Sequence, residues 1–180
     1  HQDLGLVPAL GALDNLALGR GNKKRRGGTI NWPAEAQAGR EALAELGYDF
    51  DLKIPVDRLS ASERTGVAIA RALESGGDAK VLFLDEPTAS LPAAEAERLF
   101  DVVRAVADRG VGVVYVSHRF QEVMVLSDRV SVLRDGRRVA TERTAELEEA
   151  RLVELTVGRV IVPATHDDTG RNHASGNPLL

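Results

Sequence analysis

Four consecutive apolar residues, Val81 to Leu84, bounded by Lys80 and Asp85, place the strongest limit on the fold. A continuous apolar run of this length is typical of a strand buried on both faces of a parallel sheet. A second run follows at 111–116, after a stretch, 92–108, whose apolar residues recur at helical spacing. Because strand, helix and strand alternate, the sequence predicts an α/β fold in which the two strands run parallel.

The segments on either side of this unit differ in character. The first 75 residues contain no convincing strand, and their apolar spacing predicts helices, so we expect a helical module there. Beyond the second strand, Asp135-Gly136 separates two β-prone runs and predicts a hairpin. The predicted helices lie at 33–46, 61–73, 120–126 and 145–157, with a loop and short helix within 4–18, and the predicted hairpin strands lie at 129–133 and 137–140.

Composition excludes several classes of function. The chain carries 23 Lys and Arg against 27 Asp and Glu, a net charge of −4, which offers no chain-wide positive field for a nucleic acid backbone. Cysteine is absent, so disulfide scaffolds and thiolate chemistry are excluded. The basic run 23–26 is interpreted as a surface loop, with contact to anionic lipid or to a partner protein as the alternative. The polar stretch 164–177 is interpreted as a linker.

Two adjacent carboxylates, Asp85 and Glu86, end the first strand, at the edge where parallel sheets bind ligands. The plain interpretation is an acidic strand end in solvent. However, four apolar residues followed by Asp-Glu-Pro-Thr form a more specific pattern. An Asp in this position can hold Mg²⁺, and a neighbouring Glu can polarise a water for attack on a phosphoryl group. The pair therefore indicates nucleotide hydrolysis.

Several motifs in consistent order resemble those of the ATP-binding subunits of ABC transporters. Val81 to Glu86 resembles a Walker B strand with its catalytic glutamate, and the resemblance covers residues 1 to about 159. It is strongest to the first ATPase half of the double-ATPase subunits of ribose, galactose and xylose importers. The other matching segments are Leu59 to Glu63 (signature motif), Ala89 to Leu91 (D-loop), Ser117-His118 (switch-histidine loop) and Gln2 (Q-loop glutamine).

The resemblance implies a partial P-loop NTPase (ABC ATPase) fold, with a helical subdomain followed by a mostly parallel sheet core and a C-terminal hairpin. It divides the chain at residue 75. Residues 1–75 correspond to the Q-loop and helical subdomain, and residues 76–159 to the Walker B, D-loop and H-loop part of the core. Residues 160–180 correspond to a linker towards a second ATPase domain.

The resemblance also implies roles for individual residues in binding ATP and Mg²⁺. Glu86 is the expected general base and His118 the expected contact to the γ-phosphate. Asp85 and Gln2 are the expected magnesium residues. The remaining nucleotide-binding residues are Ser60, Ala61, Ser62 and Glu63, at a helix N-terminus facing ATP on the opposite ATPase domain, and Ser90 in the D-loop. Two plain alternatives stand beside these roles: His118 as a merely hydrogen-bonded histidine and Ser60 as a helix N-cap.

For the parent protein, the resemblance implies ATP hydrolysis that drives import of a sugar or related solute. The implied partners are a second ATPase domain on the same or another chain, a transmembrane permease and, indirectly, a solute-binding protein, but no nucleic acid. The implied location is peripheral, on the cytoplasmic face of the inner membrane. Two alternatives remain: a nucleotide-binding half that regulates without catalysis, and an ABC-type ATPase that acts on the ribosome or on DNA.

Three departures from the family pattern bear on catalysis. No Gly-x-x-x-x-Gly-Lys-Ser/Thr occurs in the chain, although this loop cradles the β- and γ-phosphates. We therefore expect the phosphate-binding segment to lie upstream of His1, and the 180-residue chain alone to hydrolyse no ATP. Ser62 stands at the signature glycine position and Pro92 at the usual D-loop aspartate, and both encourage the regulatory alternative.

Overall fold

The structure is a computed structural model that describes residues 4–20, 30–75 and 79–158. The chain divides into two compact units, with the boundary between Asp128 and Arg129. The predictions for Gln2, for the basic run 23–26 and for the linker 160–180 lie outside the described residues. The functional division predicted at residue 75 stays a prediction.

The first unit begins with three helices. They are α1 (Ala12–Arg20), α2 (Trp32–Ala44) and α3 (Ala61–Ser75), with a 3-10 turn at Val56–Arg58. Asn31 caps α2, because its side-chain oxygen accepts a hydrogen bond from the amide of Ala34, and proline occupies the first turn. The described residues of this helical part contain isolated β-bridge positions, such as the pair Gly11 and Pro55, but no strand. The predicted helical character of this part is therefore confirmed.

The sheet of the first unit contains two parallel strands, β1 (Val81–Asp85) and β2 (Gly112–Val116). They are connected by α4 (Ala93–Asp108), and α5 (Phe120–Leu126) follows β2. This is the strand, helix, strand order that the two apolar runs predicted. The register ends on the pair Asp85 and Val116, so both strands terminate at the same edge.

One face of this sheet carries the core. Leu82 and Leu84 of β1 are buried in the same cluster as Leu99, Val102 and Val106 of α4. The opposite face is open, since the side chains of Val81 and Phe83 are 51% and 72% exposed. The prediction that this strand is buried on both faces is therefore wrong for the described residues. The alternation arises because successive side chains of a strand point to opposite faces and the helices cover only one.

The second unit is a hairpin and a helix. Strands β3 (Arg129–Arg134) and β4 (Arg137–Arg143) pair antiparallel, and α6 (Glu149–Val157) follows a short 3-10 turn. Asp135 and Gly136 both adopt positive φ, 51° and 71°, as a two-residue hairpin turn requires. The hairpin prediction is confirmed. Across the described ranges, no helix combines the length and apolar character needed to span a bilayer.

Candidate functional site

The parallel sheet edge brings Glu86 and His118 together. The amide of Glu86 donates to the carbonyl of Val116 at 2.9 Å, which extends the strand pairing by one residue past β1. The segments that follow β1 and β2 then leave the sheet at the same edge. As a result, Nδ1 of His118 lies 2.7 Å from Oε1 of Glu86. The His118 side chain is 75% exposed and the Glu86 side chain 30%, so the pair faces solvent.

The backbone at Glu86 is strained. Its φ is 46°, in the left-handed region that a residue with a side chain seldom occupies. Such a conformation costs about 1–3 kcal/mol and persists where neighbouring contacts impose it. Two backbone hydrogen bonds hold the residue in place. The Glu86 amide donates to the Val116 carbonyl, and the Glu86 carbonyl accepts from the Ala89 amide at 3.1 Å, which closes a turn. This conformation turns the chain sharply at the strand end.

Asp85 is the last residue of β1, directly before Glu86 in the chain, and it is exposed. Carboxylate oxygens suit Mg²⁺, which proteins usually bind through one or two carboxylates together with substrate phosphates. Asp85 fits that pattern. Over the described part of the chain, no group of three or more His, Asp or Glu side chains converges as a self-sufficient metal site. The other predicted magnesium residue, Gln2, lies outside the described residues.

A second cluster forms at the N-terminus of α3. Oγ of Ser60 accepts a hydrogen bond from the amide of Glu63 at 3.2 Å, and Oε2 of Glu63 accepts one from the amide of Ser60 at 2.8 Å. This reciprocal arrangement is a capping box. The plain interpretation of Ser60 as an N-cap is therefore observed. Its hydroxyl also lies 3.2 Å from that of Ser62.

Ser62 is fully buried, and both its backbone amide and its backbone carbonyl form hydrogen bonds to side chains. Its amide donates to Oε2 of Glu95, in the first turn of α4, at 2.8 Å. Its carbonyl accepts from the hydroxyl of Tyr48 at 2.9 Å. Burial raises the pKa of Tyr48 to about 12, so the tyrosine remains a donor. A carboxylate thus already contacts an amide at the helix end where the resemblance expects a phosphate. No local pattern in the sequence indicates Glu95, because it lies 33 residues from Ser62.

The predicted site residues therefore fall into two clusters. Glu86 and His118 are in contact, with Asp85 next to them in the chain. Ser60 caps α3, and Ala61 to Glu63 form its first turn. Ser90 lies exposed in the loop that follows β1. The functional roles proposed for all of these residues stay predictions.

Several curated proteins are similar in sequence to this chain. No family model matches the chain. The ribose import ATP-binding protein RbsA 2 of Rubrobacter xylanophilus is 45% identical over 179 residues, which cover 99% of this chain and 34% of the relative. The galactofuranose transporter ATP-binding protein YtfR of Escherichia coli is 37% identical over 179 residues, covering 99% and 35%. The chain thus spans about a third of the length of the curated relatives it matches.

Solved structures agree on the fold. An inward-facing ABC transporter of the metal-chelate type matches with a TM-score of 0.68 at 22% identity, covering 83% of this chain and 59% of that one. A dimeric ATP-binding cassette in a post-hydrolysis state, bound to ADP and Pi, matches with a TM-score of 0.60 at 23% identity, covering 80% and 61%. The predicted P-loop NTPase fold is confirmed.

The order of elements and the likeness to solved structures give the described residues the fold of an ABC ATPase domain, and the chain is similar in sequence to ATP-binding proteins of ABC transporters. The relatives with 37–45% identity over 99% of the chain are ATP-binding proteins of ribose and galactofuranose transport. The resemblance stated from the motifs is confirmed.

Proposed function

We propose that this chain forms the distal part of an ATPase subunit that energises import of a sugar or related solute. The observation that carries the proposal is the contact between Glu86 and His118, 2.7 Å apart at the edge where both parallel strands end. The names of the relatives, which are ATP-binding proteins for import of ribose and for galactofuranose transport, support the class of substrate.

Glu86 is the proposed general base. Its Oε1 lies at an exposed edge, where a water can approach, and a carboxylate can accept the proton that the water loses on attacking the γ-phosphorus. His118 is the proposed contact to the γ-phosphate. Because its Nδ1 is engaged with Glu86, the other ring nitrogen, Nε2, is the atom available to face a phosphate oxygen.

Asp85 and Gln2 are the proposed magnesium residues. Bound Mg²⁺ would neutralise charge on the β- and γ-phosphates. The role of Asp85 is to present a hard oxygen ligand directly beside the base, and one such carboxylate suffices when phosphates complete the coordination. Ser90, in the exposed loop after β1, is the proposed D-loop contact to the nucleotide.

The Ser60 to Glu63 segment is the proposed contact to ATP held by a second ATPase domain, on the same or another chain. The start of a helix offers partial positive charge and amide donors. The further proposed partners are a transmembrane permease and, through it, a solute-binding protein. The proposed location is the cytoplasmic face of the inner membrane, as a peripheral subunit.

A second candidate function is a half-site that binds nucleotide and regulates without catalysis. The observation that favours it is the hydrogen bond from the Ser62 amide to Glu95, which places a negative charge where a phosphate would bind. Pro92 at the D-loop aspartate position supports the same alternative.

A single variant separates the two candidates. In the subunit that contains this chain with a phosphate-binding loop, Glu86→Gln should slow steady-state ATP hydrolysis by ~10²–10⁴, the usual contribution of a positioned base, with ATP binding retained. Glu154→Gln is the matched control, since this glutamate lies in α6 of the second unit. Turnover that is unchanged by Glu86→Gln would reject the catalytic role and leave the regulatory candidate.

A further inference from the structure

A buried carboxylate lies behind the Glu86 and His118 pair. Glu122, in the first turn of α5, has a side chain only 8% exposed. Its Oε2 accepts hydrogen bonds from the hydroxyls of Thr88 at 2.7 Å, Tyr115 at 2.8 Å and Ser117 at 3.2 Å. Its Oε1 accepts from Nη1 of Arg119 at 2.8 Å.

The carboxylate is held in its charged form. Burial raises the pKa of Glu122, but the hydrogen bonds from Thr88, Arg119, Tyr115 and Ser117 together outweigh burial, and the net shift is downward. The pKa of Tyr115 is raised by burial, so its hydroxyl stays a donor. An apolar residue would fill this space without the cost of desolvating a charge. A role beyond packing is therefore indicated.

The donors come from three segments of the chain. Thr88 lies two residues beyond Glu86 in the loop after β1, and it is fully buried. Tyr115 belongs to β2. Ser117 directly precedes His118, and its hydroxyl oxygen also accepts a hydrogen bond from the amide of Arg119 at 3.1 Å. A single oxygen thus binds the loop that carries Glu86, the strand between the two loops, and the loop that carries His118.

The geometry points to Glu122 as a positioning residue that sets the distance between Glu86 and His118 by holding both of their loops on one carboxylate oxygen. The importance of that distance for ATP hydrolysis rests on the proposed function. The positioning itself is a property of this chain and can be measured without ATP.

The test is a coupling experiment by NMR on the labelled 180-residue chain. The imidazole resonances of His118 are identified as those lost in H118Q, and the shift that E86Q causes in them is measured. The same shift is then measured in an E122Q background. The matched control background is E154Q, because Arg151 and Glu154 repeat the i, i+3 ion pair of Arg119 and Glu122 in another helix.

We expect E86Q to shift the His118 resonances in the native background. The shift should be equally large in the E154Q background. In the E122Q background, E86Q should cause no measurable shift. A shift of full size in folded E122Q would overturn the proposal, as would the absence of any shift in the native background. If E122Q does not fold, T88V and Y115F each remove one hydroxyl donor from Oε2. The E86Q shift should then shrink in both, and a full shift in both refutes the positioning role. Failure of the proposed function appears separately, as ATP hydrolysis that is insensitive to E86Q.

Discussion

The packing of Tyr48 against Gly66 gives a sharp prediction about the helix that carries Ser62. A Cβ atom at Gly66 would lie 2.7 Å from Cδ2 and 2.8 Å from Cζ of the Tyr48 ring. The ring cannot easily move aside, because it is 8% exposed and its hydroxyl donates to the Ser62 carbonyl at 2.9 Å. Gly66→Ala should therefore destabilise the protein through a steric conflict inside the first unit.

The magnitude follows from two opposing contributions. Overpacking a core position costs ~1–3 kcal/mol, and the 2.7 Å contact places Gly66→Ala in the upper part of that range, ~2–3 kcal/mol, whereas alanine is favoured over glycine within a helix by about 1 kcal/mol. We expect the free energy of unfolding to fall by ~1–2 kcal/mol. For a chain of this length, Tm should then fall by roughly 2–8 °C.

The assay is urea unfolding followed by far-UV circular dichroism, in three backgrounds. With native Tyr48, or with Tyr48→Phe, the ring remains and Gly66→Ala should destabilise. With Tyr48→Ala, the ring is gone, and the same substitution should raise the free energy of unfolding by up to about 1 kcal/mol, because only the helix preference is left. The same sign in all three backgrounds would refute the steric argument.

Two further predictions concern the polar clusters. Ser60→Ala removes the hydroxyl that accepts the Glu63 amide, and it should lower the free energy of unfolding by ~0.5–2 kcal/mol, measured by urea unfolding. Glu122 has a lowered pKa in the folded state, so its ionised form contributes stability above the ordinary value of 4.5. That contribution is lost as the pH falls through the folded pKa. The stability difference between native protein and Glu122→Gln should therefore be constant near neutral pH and shrink below about pH 4.5, as seen in unfolding curves across pH.

Specific results would contradict each of these. A Ser60→Ala variant as stable as Ser60→Thr, which keeps a capping hydroxyl, would show that the capping box contributes nothing. A stability difference for Glu122→Gln that stays the same from neutral pH down to pH 3 would show that the carboxylate is not selectively stabilised in its charged form.

Much of the fold could be predicted from local patterns. The apolar run from Val81 to Leu84 placed β1 within one residue, and Asp135-Gly136 placed the hairpin, because turn chemistry and strand composition act between neighbours. The pairing of β1 with β2 also followed, since a strand, helix, strand order leaves the parallel arrangement favoured. The exposed side of β1 was mispredicted, because a short apolar run does not reveal how many layers cover it.

The candidate site divides in the same way. Glu86 and His118 were predicted from motifs in the sequence, and the parallel register explains why they meet, since both follow strands that end at one edge. The carboxylates that surround the site could not be predicted. Glu95 reaches the Ser62 amide across 33 residues, and Glu122 reaches Thr88 across 34.

The amino-acid sequence by itself determined the elements, their order and the chemistry at the strand ends, because these depend on residues close together in the chain. Only the tertiary structure decided which distant carboxylates accept hydrogen bonds from the segments around those residues and which glycine must stay small against the Tyr48 ring. The physical reason is that hydrogen bonds and steric contacts between distant segments depend on how whole elements pack, and no local pattern encodes that packing.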